Sequence, residues 1–130
     1  MAVPRILVVD DTDSIRTLIR LNLELEGYDV AEAVDGQDCL DRVAALAPDL
    51  ITIDVVMPKR DGFSTVRALK ADPVTARIPV VMVTTQAHAA DRRRGSELGV
   101  TAYIGKPFDP DELVAVVRQA LGSVPEPNRS

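Results

Sequence analysis

Short runs rich in apolar and β-branched residues recur along this chain, and their alternation with longer helical segments limits the folds open to it. The runs are Arg5–Val9, Asp29–Ala33, Leu50–Ile53, Val80–Thr84 and residues 102–104. Between each pair lies a segment whose apolar residues return at helical spacing. Strands that alternate with helices in this way build a parallel sheet whose crossovers are the helices. The stretches Ile6-Leu7-Val8-Val9 and Val80-Val81-Met82-Val83 are apolar throughout. Strands covered on both faces have that character, so these two are expected inside the sheet rather than at its rim.

The first helix is expected to begin after Asp13 or Ser14, either of which could cap it, and to stop at Gly27. Ile15, Leu18, Ile19 and Leu25 form its expected inner stripe, with Arg16, Arg20 and Glu24 outside. A second helix over 36–47 would bury Leu40, Val43 and Ala44 and end at Pro48. A third over 63–71 is closed by Asp72-Pro73. A fourth over 87–98 contains Gly95 and few apolar residues. A fifth over 110–121 is capped by Asp109 and turns Leu113, Val116, Val117 and Ala120 inward. Five strands and five helices in strict alternation predict an α/β, three-layer, doubly wound five-stranded parallel sheet. The natural strand order is the flavodoxin-like 2-1-3-4-5. Residues 1–121 form one domain on this reading. Residues 122–130 carry two prolines and no apolar period, as a disordered tail or clipped linker would. With no basic or helical continuation there, a stand-alone protein is favoured over a piece of something longer.

Composition excludes several classes. A chain of 130 residues has room for one ordinary domain. Its net charge of −5 argues against nonspecific nucleic-acid binding, and two Phe with two Tyr leave little for base stacking. Arg92-Arg93-Arg94 point three ways around a helix, which fits a solvated face or part of a partner surface better than a basic stripe. No window approaches the roughly 20 apolar residues of a membrane span. Asp10, Asp11 and Asp13 interrupt the first apolar run, so it is not a secretory signal. The lone Cys39 excludes an intrachain disulfide, and the cytoplasm is the default compartment.

In an open parallel sheet, ligands bind beyond the carboxyl ends of the strands. There the first strand ends in Asp10-Asp11, the third in Asp54, the fourth in Thr84-Thr85, and Lys106 follows the fifth. Three close carboxylates repel, so either some are protonated or a cation sits among them. All-oxygen ligation suits a hard ion such as magnesium, which keeps waters and leaves room for phosphate. Acids before a helix often serve as caps, and capping accounts for one of these, best Asp13, but not for all. Cys39 and His88 fall in helical segments away from this edge, the one as a packing residue and the other as a surface histidine.

The ordered set Val8-Val9-Asp10-Asp11, Asp54-Val55-Val56-Met57-Pro58-Lys59-Arg60-Asp61-Gly62, Val83-Thr84 and Lys106-Pro107-Phe108 resembles the receiver domains of bacterial response regulators. The resemblance spans roughly residues 4 to 121. It implies a phosphorylation-activated signalling switch in which Asp54 is the phosphoacceptor and a histidine kinase or histidine phosphotransfer protein the donor. Magnesium, or manganese in its place, would be held by Asp11, Asp54 and the backbone carbonyl of Val56, with Asp10 acting through water. Thr84 and Lys106 would bind the phosphoryl oxygens. Thr84 and Tyr103 would form the switch, and Lys106-Pro107 a cis peptide. The changed face of the fourth helix, fifth strand and fifth helix would bind an unknown downstream protein or support a weak dimer. The resemblance implies no turnover enzyme, no direct nucleic-acid contact and no membrane. Thr85 stands where a small Ala or Ser is frequent in the family, and Val56 and Gln86 stand where its members vary. A phosphatase of the haloacid-dehalogenase type needs an acid two residues after its nucleophile, where this chain has Val56. A flavin- or nucleotide-binding module would need a glycine-rich loop after the first strand, where this chain has Asp-Asp.

Overall fold

A computed structural model describes residues 3–122. The elements are β1 (Arg5–Val9), α1 (Asp13–Leu25), β2 (Asp29–Ala33), α2 (Gly36–Leu46), β3 (Leu50–Ile53), α3 (Gly62–Ala71), β4 (Val80–Thr84), α4 (Ala89–Leu98), β5 (Ala102–Gly105) and α5 (Pro110–Gly122). All strands pair in parallel, in the order β2-β1-β3-β4-β5. Both all-apolar runs, β1 and β4, are interior strands flanking β3, as their composition requires.

The period of two along each strand divides the core between the sheet's faces. On one face Leu7, Val9, Ile51, Ile53 and Met82 pack with Cys39 and Val43 of α2 and Phe63, Val66 and Leu69 of α3. On the other, Ile6, Val8, Leu50, Val81 and Ile104 pack with Ile19 and Leu23 of α1 and Leu113, Val117 and Ala120 of α5. Thr52 of β3, in register with Val8 and Val81, is buried, and its hydroxyl has no hydrogen-bond partner among the described residues.

Several local expectations are corrected. In α1, Leu18 and Leu25 lie 44% and 83% exposed, and Leu23 fills the inner stripe instead. In α2, Ala44 faces solvent and Cys39 takes the buried place. Neither Asp13 nor Ser14 caps α1. Its N-cap is Thr12, without a side-chain bond, because Asp13 already stands in the first turn and pairs with Arg16. His88 is the N-cap of α4 rather than a residue within the helix. Gly122 belongs to α5, while the rest of the expected tail, 123–130, lies outside the described residues.

Candidate functional site

Parallel pairing carries the ends of β1 and β3 to the same edge, in register as Val9↔Ile53. The residues just beyond them, Asp10 and Asp54, therefore stand side by side. Backbone bonds hold both: the Asp10 N–H donates to the Ala33 carbonyl and the Asp54 N–H to the Val9 carbonyl, each at 3.2 Å. Asp10, Asp11 and Asp54 bring carboxylate oxygens within 4.8 Å of one another. Asp10 and Asp54 are buried while Asp11 is exposed, and among the described residues no cation or N–H pairs with the Asp11 carboxylate.

Lys106 reaches this cluster from the loop after β5. Its backbone N–H donates to the Thr84 carbonyl at 2.9 Å, which ties the loop to the end of β4. Its ammonium donates to Asp10 Oδ2 at 2.8 Å and to Asp54 Oδ2 at 2.9 Å. Burial by itself would lower the Lys106 pKa, but hydrogen bonds to the two carboxylates outweigh it and hold the group above its ordinary value. One ammonium against three carboxylates leaves the cluster short of positive charge. Hard oxygen donors with that deficit fit a divalent cation of the magnesium type. The Lys106–Pro107 peptide is cis.

The rest of the rim follows from the same strand ends. Thr84 is fully buried, and its Oγ1 accepts the Gln86 N–H at 3.2 Å. Val56 exposes its side chain, and its N–H donates to Asp54 Oδ1 at 3.1 Å. The Tyr103 hydroxyl donates to the Gln86 carbonyl, joining β5 to the loop after Thr84. Burial, and after it the charge of Asp91, pushes the Tyr103 hydroxyl up to about 12. The arginine run divides: Arg92 lies over the Tyr103 ring and Arg94 over the Phe63 ring, 5.4 and 4.3 Å from the centroids. An open cleft of about 370 Å³ beside the site is walled by Val56, Met57, Gln86, Asp91 and Arg94.

Asp10, Asp11, Asp54 and Lys106 thus converge as their strand positions require, with Thr84 and Val56 at neighbouring strand ends. The roles of two residues escaped the sequence reading, although Gly62 was quoted there within the loop motif. A Cβ on Gly62 would stand 2.3 Å from the Asp54 carbonyl oxygen, so only glycine lets α3 approach this close. Its place in the Asp61-Gly62 pair that closes the loop was the available signal. Arg16, expected merely on the outer face of α1, donates to the Asp10 carbonyl at 2.8 Å. No spacing in the chain announces that bond.

Comparison with known proteins agrees with this fold. The family model of the response regulator receiver domain matches residues 6–118. The "DNA-binding dual master transcriptional regulator RpaA" of Synechocystis sp. is 44% identical over 91% of this chain and 49% of its own length. The "alkaline phosphatase synthesis transcriptional regulatory protein PhoP" of Bacillus subtilis is 42% identical over 90% of this chain and 48% of its own. The chain spans about half the length of these relatives. Among solved structures, the chemotaxis protein CheY4 of Vibrio cholerae superposes with a TM-score of 0.87 at 32% identity, covering 92% of this chain and 99% of that one. With the family match over nearly its whole length and the acidic strand-end site in place, this chain belongs to the response regulator receiver domains of two-component signalling.

Proposed function

We propose that Asp54 is the residue phosphorylated in this receiver domain, in a reaction that requires Mg2+ or Mn2+. The observation that carries the assignment is the Lys106 ammonium spanning Asp10 and Asp54 beside an unpaired Asp11. Asp11, Asp54 and the Val56 carbonyl would hold the cation directly, and Asp10 through water. Bound there, it supplies positive charge to oxygens of the transferring phosphoryl group.

A carboxylate oxygen of Asp54 attacks phosphorus of a phosphohistidine on a kinase or phosphotransfer protein. The new O–P bond makes an acyl phosphate, the P–N bond breaks, and the freed imidazole takes up a proton from solvent. Charge on the equatorial oxygens is met by the Lys106 ammonium and by the Thr84 hydroxyl, which turns from its bond with Gln86. Nothing in this scheme turns over a substrate: the chain is a phosphoacceptor, not an enzyme in the ordinary sense.

Recruitment of Thr84 would free space beside β5 and shift Tyr103, whose hydroxyl is anchored on Gln86. The face of α4, β5 and α5 would then present a changed surface to a downstream protein, or to a second copy in a weak dimer. No helix among the described residues is long and apolar enough to cross a membrane, and Cys39 is a free buried thiol. Both fit a cytoplasmic setting for the domain.

Mass spectrometry after treatment with acetyl phosphate tests the assignment. One phosphoryl group should be gained with Mg2+ and lost from the Asp54→Asn variant. A gain that persists in Asp54→Asn would refute it.

A further inference from the structure

Arg16 stands one turn into α1 with its side chain only 12% exposed, and its guanidinium reaches three elements at once. Nη1 donates to the Asp10 carbonyl at 2.8 Å, Nε to Glu32 Oε1 of β2 at 3.0 Å, and Nη2 to Asp13 Oδ1 at 2.6 Å. One planar cation therefore joins the end of β1, the start of α1 and the penultimate residue of the edge strand. A guanidinium keeps its charge at every working pH, and its rigid fork fixes the directions of the bonds it donates. Both main-chain polar groups of Asp10 are engaged, the carbonyl by Arg16 and the N–H by Ala33. The next residue is Asp11, whose carboxylate is the open member of the acidic cluster.

We propose that Arg16 is a positioning residue for the divalent cation: by holding the Asp10 carbonyl from β2, it fixes the Asp10-Asp11 turn so that the Asp11 carboxylate meets Asp54 around one ion. The inference rests on the acidic cluster being a cation site. Its physical basis is the mutual repulsion of the three acids. Asp11 sits on an exposed turn whose other tie, the Thr12 N–H donating to Asp10 Oδ1 at 2.9 Å, is made to one of the repelling carboxylates. Without Arg16 on the Asp10 carbonyl, Asp11 relieves that repulsion by swinging outward. The cation would then have to order the turn as it bound, and affinity would fall. With Arg16 in place, folding has already ordered the turn. Residues that orient metal ligands in this manner are typically worth ~10–100-fold in metal affinity.

Arg20 supplies the control. It lies one turn further along α1 and pairs with Glu24 at 2.9 Å and with Glu32 at 3.3 Å, but has no bond to Asp10. Calorimetric titration with Mg2+ should be run on the full chain and on Arg16→Gln, Arg16→Lys, Glu32→Gln and Arg20→Gln, with thermal midpoints taken in EDTA. Arg16→Gln should weaken Mg2+ binding by about tenfold or more. Arg16→Lys should fall between it and the parent chain, because an ammonium lacks the fork that serves all three acceptors. Arg20→Gln should lose stability while keeping Mg2+ affinity. Equal Mg2+ affinity in Arg16→Gln and the parent chain overturns the proposal and leaves the cation site standing. If Arg16→Gln does not fold, Glu32→Gln decides, since it removes the charge of the β2 anchor while Arg20→Gln accounts for the pair with Arg20 that is lost with it: weaker Mg2+ binding supports the proposal and unchanged binding overturns it. A parent chain that binds no Mg2+ overturns the cation site, and the role of Arg16 with it.

Discussion

Replacing Lys106 with methionine keeps an unbranched side chain one atom shorter and removes its charge, leaving Asp10 and Asp54 facing one another. The two ion pairs are 2.8 and 2.9 Å long, and the side chains are 11% exposed for Lys106, 1% for Asp10 and 10% for Asp54. Removing one partner of a fully buried pair costs about 3–5 kcal/mol. This cluster lies at an open sheet edge beside the exposed Asp11, so water softens the penalty to about 2–3 kcal/mol. Unfolding entropy of ~2.1 cal/mol/K per residue over 130 residues makes each kcal/mol worth about 4 °C. Lys106→Met should therefore lower the thermal midpoint in EDTA by roughly 7–11 °C. Millimolar Mg2+ should restore a larger part of that loss than it adds to the parent chain, because the cation no longer competes with an ammonium. Differential scanning calorimetry with and without Mg2+ measures both quantities. A midpoint in EDTA within about 2 °C of the parent value would refute the picture of a repulsive cluster held by one lysine.

Thr52→Val replaces the buried hydroxyl that lacks a partner with a methyl group of similar size, and should raise stability by about 1 kcal/mol. Urea unfolding with an unchanged slope and a higher midpoint would show it, and a lower midpoint would mean the hydroxyl is satisfied. Cys39 should resist thiol reagents until the chain unfolds. Burial, and then the charge of Asp38, pushes its thiol from 9.0 up to about 12. Because the folded value is the higher, this group's contribution is fully present below pH 9.0 and is lost as pH rises towards 12. Fast labelling of the native chain at pH 8 would contradict the burial.

The strands and the acidic edge were legible because both rest on short-range chemistry. Apolar runs mark buried parallel strands, and the polar residue that ends each run must lie at the carboxyl edge of the sheet. Helix faces were less legible where apolar residues outnumber the inner positions. In α1, residues 15, 18, 19, 21, 23 and 25 are all Ile or Leu, and periodicity alone cannot choose which of them face inward. Packing against α5 and the sheet selects Ile19 and Leu23 and leaves Leu18, Leu21 and Leu25 outside. Arg16 was invisible for a different reason. Its partner Glu32 lies 16 residues away on another element, and the bond to Asp10 is made to a backbone carbonyl, which carries no sequence identity. Gly62 was noticed as part of a motif, yet its steric role needed the Asp54 carbonyl in three dimensions.

Of all the helices, α4 is fastened most lightly. Gly95 is its one buried residue, and two of its arginines lie over aromatic rings, Arg92 over the half-buried Tyr103 and Arg94 over the buried Phe63. Displacing a helix costs free energy in proportion to the apolar surface it must strip from its neighbours. By that measure α4 is the compliant part of an otherwise stiff body, and a given push from the sheet edge moves it farther than any of its neighbours. The chain's scarcity of apolar residues between 87 and 98, which made this helix the hardest to foresee, is also what makes it the cheapest to move.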